Sequence, residues 1–273
     1  MGFGDIIWLM FLLSALQPLV QQRALLVRRV MALRQLEKTR NSRVITMIHR
    51  QEGFSFLGLP FARYIDIDDS EQVVRAIDLT DSTTPIDFVL HTPGGLVLAS
   101  EQIAQALLRH PAKVTVMVPH YAMSGGTLIA LAADEIMLSP SAVLGPVDPQ
   151  IGQQAAASIL AAMHLKDINK FDDETLVLAD MSAKAINQVR QVATTLLAGQ
   201  GMDPAAAGRL ARVLSDGRWT HDYPITAELA KNLGLPVSTN PPAEVREIIH
   251  LYPQPRGKRP SVEYIPTPYR RQA

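Results

Sequence analysis

From residue 44 onward, short apolar runs alternate with stretches whose apolar positions recur at helical spacing. Residues 44–49, 86–91, 114–118 and 135–138 are runs of four to six mostly apolar residues, the pattern of strands buried on both faces. Between them, residues 71–79, 96–109 and 125–133 repeat their apolar positions every three to four residues and read as helices. Strand, helix and strand in that order imply βαβ crossovers and a mostly parallel sheet. Beyond residue 155 the strand signal fades. Residues 155–164, 176–197, 204–214 and 226–233 read as helices, the last stopped by Gly234. No repeat of solenoid length interrupts the pattern, so residues 44–240 read as one α/β domain.

The two ends differ from this body. Residues 6–20 form the longest apolar run, broken only by Ser14, Gln17 and Pro18. It is short against the ~20 residues of a bilayer span, and the charge pattern of a cleaved signal peptide is missing, because only Asp5 precedes it. Residues 1–22 therefore read as an N-terminal membrane helix, with a buried helix as the competing reading. Residues 21–43 then hold seven Lys or Arg against one Glu, a net charge of +6, and the rest of the chain has 19 positive and 25 negative residues, or −6. This flank (Arg23, Arg28, Arg29, Arg34, Lys38, Arg40 and Arg43) places the body on the cytoplasmic side by the positive-inside rule. Leu25, Leu26, Val30, Leu33 and Leu36 recur within it, so residues 23–43 read as a basic amphipathic juxtamembrane helix on a lipid bilayer. No aromatic residue interleaves with these arginines to stack on bases, so nucleic acid is not the expected partner. Residues 241–273 read as a helix end and a Pro- and Arg-rich extended tail.

Two βα turns carry unusual chemistry. The first is His91-Thr92-Pro93-Gly94-Gly95, where paired glycines let backbone N–H groups approach a bound oxygen. A plain βα turn also favours glycine. The second is Met123-Ser124-Gly125-Gly126, which would expose the Ser124 hydroxyl at the top of the sheet beside the Gly125 N–H. That is the logic of a nucleophile elbow, although the G-x-S-x-G spacing is absent and an N-cap serine is the alternative. Twenty-nine residues separate Gly95 from Ser124, about one helix plus one strand, so both turns should reach the same edge of the sheet. One turn can then supply an oxyanion hole and the other a nucleophile.

The order T-P-G-G, M-S-G-G, A-D-E-I, S-P-x-A-x-x-G-P-x-D resembles the ClpP and signal-peptide-peptidase-A superfamily, in particular its membrane-associated serine dehydrogenase proteinase branch. The resemblance covers about residues 44–237. It implies a ClpP/crotonase-like spiral of ββα units, assembly into a homo-oligomer, and hydrolysis of polypeptides through a Ser124 acyl-enzyme. Carried over by motif, Gly95 and Gly125 would form the oxyanion hole, with Gly94 a close second. Two bases remain open. A Ser-Asp-His order implies His221 as the base, oriented by Asp148, which lies 24 residues beyond Ser124. A Ser-Lys dyad implies Lys170, with Lys166 and Lys184 behind it, but a lysine base must be desolvated and the surrounding run is polar.

Other chemistry is not indicated. Seven histidines show no pair at metal-ligand spacing, and with no cysteine there is neither a thiolate ligand nor a disulfide. No phosphate-binding glycine motif is present, and no cofactor is expected. Two competing functions remain: acyl-CoA chemistry of the crotonase type, which needs no serine in the elbow, and a non-catalytic oligomeric membrane scaffold.

Overall fold

The computed structural model describes residues 3–49, 54–56, 59–61, 64–165 and 167–252, without the side chains of 3–15, 18, 54–56, 59–61 and 168. The chain begins with helix α1 (Phe3–Arg40) and strand β1 (Arg43–Ile48), then a small hairpin of β2 (Phe54–Phe56) and β3 (Leu59–Phe61). There follow α2 (Ile67–Asp78), β4 (Ile86–His91), α3 (Val97–Arg109), β5 (Val114–Val118), β6 (Tyr121–Ala122), α4 (Gly125–Ala130) and β7 (Glu135–Leu138). Three two-residue strands, β8 (Val143–Leu144), β9 (Gln150–Ile151) and β10 (Gln154–Ala155), lead into α5 (Ala156–Met163), α6 (Asp173–Gly199) and α7 (Pro204–Ser215). The chain closes with β11 (Ile225–Thr226), α8 (Ala227–Asn232), β12 (Val237–Ser238) and α9 (Ala243–His250).

The expected parallel sheet is present, in the order β1-β4-β5-β7-β12, with every neighbouring pair parallel. All six residues of β4 and all five of β5 are buried, which is why both read as unbroken apolar runs. The core on one side joins Ile45, Phe88, Leu90 and Val116 to Ile103 and Leu107 of α3 and to Ile129 of α4. The opposite side is covered by the two ends of the chain: Leu36 of α1 and Val245 and Ile248 of α9 pack on Val44, Val89, Met117 and Met137. A second sheet, β11-β8-β6, has no counterpart in the sequence reading, nor does β12. Two-residue strands are too short to show a period, so apolar patterning cannot find them.

The anchor and the juxtamembrane helix, read as two units, are one helix of 38 residues, about 57 Å long at 1.5 Å per residue. Among the described residues no helix is long and apolar enough to cross a membrane. Most of the 6–20 run falls on side chains outside the described residues, and the tail from residue 253 lies outside them altogether.

The last third of α1 is bound to the body. Its end is set by Asn41, which adopts φ +50° and turns the chain into β1. There Arg40 grips Asp87 of β4 with two hydrogen bonds, Nε to Oδ2 at 2.7 Å and Nη2 to Oδ1 at 3.0 Å. The Ser42 hydroxyl donates to the same carboxylate at 2.6 Å. Further back, Arg29 Nε donates to the Leu251 carbonyl at 2.8 Å, and its guanidinium lies 4.0 Å from the centre of the Tyr252 ring. The Asp87 carboxylate is 1 % exposed, so removing its cation strands a buried charge. Arg40→Met should therefore lower the unfolding free energy by about 3 kcal/mol. Asp87→Asn, which leaves a neutral group still able to accept from Arg40 and Ser42, should cost less; urea unfolding of the full chain orders the two, and a costlier Asp87→Asn would refute this account.

Candidate active site

Parallel strands β4 and β5 leave the sheet at the same edge, and the turns that follow them touch. Thr92 is the junction. Its N–H donates to the Tyr121 carbonyl at 3.2 Å, and its carbonyl accepts from Met123 N–H at 3.0 Å. Gly94 N–H donates to the Thr92 hydroxyl at 3.1 Å, while the Gly94 carbonyl accepts from Ile65 N–H at 2.8 Å. Two features of this turn require glycine. Gly94 has φ +105°, and a Cβ there would stand 2.8 Å from the Ser124 Cβ. At Gly95 a Cβ would run into the backbone of Ile65, with which Gly95 forms an isolated bridge.

Ser124 has φ +51° and ψ −116°, a conformation that costs a non-glycine residue about 1–3 kcal/mol. Among the described residues only Asn41, at a helix end, shares a positive φ without being glycine. Ser124 occupies the N-cap position of α4, yet its side chain makes no capping hydrogen bond, so the capping alternative does not account for it. The turn is braced from below by Thr127, whose hydroxyl donates to the Ala122 carbonyl at 2.8 Å and accepts from Gly145 N–H at 3.0 Å. That second bond ties α4 to the segment that carries Asp148.

Asp148 and His221 are 73 residues apart in sequence and meet at 2.9 Å, Asp148 Oδ1 to His221 Nδ1. The pairing of β8 with β11, Leu144 opposite Ile225, brings their two loops together. Around His221 the loop is stiffened by Trp219 and Tyr223, whose rings stack with centroids 5.1 Å apart, and by Arg218 on Asp216 at 2.7 Å. The Asp148 carboxylate is 1 % exposed, and its other oxygen accepts from Gln150 Nε2 at 2.7 Å. A carboxylate is an acceptor only, so the His221 Nδ1 carries the proton and Nε2 is left as the basic nitrogen. The hydrogen bond to Asp148 raises the His221 imidazole above its ordinary 6.5; burial opposes the rise, and the charges of Asp148 and Asp222 add to it.

Ser124, Gly95, Gly125, Asp148, Gln150 and His221 all line one cleft of about 410 Å³, whose apolar wall includes Val97, Leu128, Val147 and Val189. Gly94 is not among the lining residues, and its N–H is taken by Thr92. Lys170 lies exposed in the short turn Ile168–Lys170 and does not line this cleft. Lys184 is exposed and paired with Asp180, and Lys166 is outside the described residues. Sequence reasoning gave no role to Gln150 or to the Thr92 hydroxyl. Neither has a detectable signature, because one amide or hydroxyl gains meaning only from the atom it reaches across the fold. Among the described residues, no group of three or more acidic or histidine side chains is arranged to hold a metal ion.

Two uncharacterized proteins of Methanocaldococcus jannaschii, MJ1495 and MJ0137, are each 52 % identical to the chain. The first aligns over 266 residues, 97 % of this chain and 90 % of its own length; the second over 265, 97 % and 92 %. Among solved structures, a mutant of the 1510-N membrane-bound stomatin-specific protease matches with a TM-score of 0.46 at 21 % identity, covering 69 % of this chain and 79 % of that one. The model of the ClpP-like SDH-type serine proteinases matches residues 2–273. The chain belongs to that family, the ClpP-like SDH-type serine proteinases.

Proposed function

We propose that the protein is a serine peptidase that cleaves polypeptides through an acyl-enzyme on Ser124. The observation that carries this reading is the strained Ser124 at the mouth of a cleft that also holds a buried-carboxylate histidine pair. His221 Nε2 takes the proton from Ser124 Oγ as the oxygen attacks the scissile carbonyl, then returns it to the leaving amine. Asp148 keeps the imidazole in that tautomer and offsets the charge that develops on it, with Gln150 holding the carboxylate. The N–H groups of Gly95 and Gly125 receive the oxyanion, and Gly94 serves as the spacer that lets the turn approach Ser124. The exposed position of Lys170 supports His221 over the lysine, since a lysine base needs desolvation to lose its proton near neutral pH. The presence of a serine in the elbow favours hydrolysis over acyl-CoA chemistry.

The N-terminal run and its basic flank support attachment to a membrane, with the domain on the cytoplasmic side, and membership of a ClpP-like family supports association as a homo-oligomer. Full-length protein should stay with the membrane fraction through both high salt and carbonate. Release by carbonate would reject insertion, and release by salt alone would reduce the contact to surface charge.

Two substitutions at one position separate catalysis from strain. Ser124→Ala should lower peptide hydrolysis by about 10⁴-fold or more and abolish fluorophosphonate labelling. Ser124→Gly should be equally inactive but more stable by about 1 kcal/mol, because glycine tolerates the positive φ and the relief exceeds its entropic cost. Retained hydrolysis in either variant would reject Ser124 as the nucleophile.

The His221 shift gives a pH signature. Asp148 favours the imidazolium, and the base works only when neutral, so kcat/KM should rise with pH through a midpoint above 6.5. Asp148→Asn removes the carboxylate, so the midpoint should move to lower pH while kcat falls by about 10⁴-fold. A midpoint that stays put in Asp148→Asn, or disappears only in Lys170→Met, would assign the base elsewhere.

A further inference from the structure

Outside the lining of the cleft, a second carboxylate and imidazole meet the hydroxyl of Thr92. His49, 5 % exposed at the end of β1, places Nδ1 3.0 Å from the Thr92 hydroxyl and Nε2 3.1 Å from Asp69 Oδ2. Asp69 belongs to the first turn of α2, where its carboxylate closes the capping box by accepting from Asp66 N–H at 3.0 Å. Burial opposes ionisation of Asp69, but the hydrogen bonds from His49 and the Asp66 amide outweigh it and hold the carboxyl below its usual range. A capping box is complete without a histidine, and β1 needs no imidazole for its pairing with β4. The pair of a buried histidine and a half-buried aspartate is therefore unexplained by the local structure of either element.

The hydrogen-bond directions explain it. Asp69 can only accept, so Nε2 carries a proton, and with one proton on the ring Nδ1 is the acceptor. The Thr92 O–H then donates to Nδ1 at 3.0 Å, the nearer of its two acceptors, the Gly94 carbonyl being the other at 3.4 Å, and its oxygen accepts from Gly94 N–H at 3.1 Å. The result is one directed chain, Gly94 N–H to Thr92 O–H to His49 to Asp69. It has two effects on the turn. It takes up the Gly94 N–H, so that this amide does not compete for an oxyanion, and it fixes the peptide that precedes Gly95. The same threonine holds the other turn through its backbone, by the bond from Met123 N–H to its carbonyl at 3.0 Å. Thr92 thus sets the distance between the glycine turn and Ser124, and His49 sets Thr92.

We propose that His49 and Asp69 are positioning residues of the active site: through the Thr92 hydroxyl they hold the Gly95 N–H where the transition-state oxyanion forms. This rests on the peptidase reading above. No bond is made or broken and no proton is transferred by the pair during turnover. A loosened turn would bind substrate through the unchanged cleft walls but stabilise the oxyanion less, so the loss should fall on kcat and not on KM.

The test uses the full-length protein, a peptide substrate and a fluorophosphonate probe. His49→Phe keeps the volume and removes both nitrogens; it should lower kcat and the labelling rate at Ser124 by about 100-fold, the scale of losing one oxyanion donor, with KM within about twofold. His49→Gln presents one acceptor and one donor on a planar amide, as neutral imidazole does, and should recover at least about a tenth of the wild-type kcat. Thr92→Val should match His49→Phe, and the double variant should be no worse than either alone, because all three cut the same chain. A merely structural role predicts additive losses, a raised KM and no rescue by glutamine. Wild-type kcat in His49→Phe, or additivity in the double variant, overturns the relay while leaving the peptidase standing. No labelling of Ser124 in the wild type overturns both. Should His49→Phe fail to fold, the comparison of Thr92→Val with Thr92→Ser decides alone: serine must retain kcat and valine must lose it.

Discussion

The site depends on the parallel register of β4 and β5, in which Ile86, Asp87, Phe88 and Val89 stand opposite Val114, Thr115, Val116 and Met117. Parallel neighbours end at one edge, so their exit turns arrive side by side, where Thr92 can bond them. A slip of one residue would turn every side chain of a strand to the other face and separate the turns. Burial on both faces prevents this slip, because each misplaced side chain would leave a core of close-packed Ile, Val, Leu and Phe. On this foundation Thr92 makes the fine adjustment, bonding the second turn through its backbone and the first through its hydroxyl.

Stability and activity are set against each other at Ser124. Its φ of +51° is held by surroundings that allow no relaxation: Gly94 behind it, Gly125 and Gly126 buried ahead of it, and Thr127 bonded to both Ala122 and Gly145. Glycine at 94 and 95 is needed because backbone must approach backbone, whereas serine at 124 endures an unfavourable conformation that leaves its hydroxyl uncapped in the cleft. The base is assembled by a different route. Two-residue strands β8 and β11 pair, and their extensions carry Asp148 and His221 to within 2.9 Å of each other. The charged Asp87–Arg40 pair at the other end of β4 fixes where α1 leaves the domain, so both ends of the strand are committed.

Much of this was legible from the chain alone. Strands 86–91, 114–118 and 135–138 were readable because a strand buried on both faces must be continuously apolar. The glycine turns were readable because positive φ and close approach restrict the residue type. Ser124 stood out by its place between a strand and paired glycines, and the resemblance to a known family pointed to Asp148 and His221. The sequence therefore determined the α/β class, the mostly parallel sheet and the two turns that meet. The tertiary structure decided the remainder: the second sheet, the continuity of α1 with the domain, the Gln150 contact, the burial of His49 against Asp69, and the exposure of Lys170 outside the cleft. The division has a physical cause. Periodicity and backbone restrictions are local and leave their mark on neighbouring residues, whereas a hydrogen bond across 43 or 73 residues exists only once the core has closed and leaves no trace in the residues beside it.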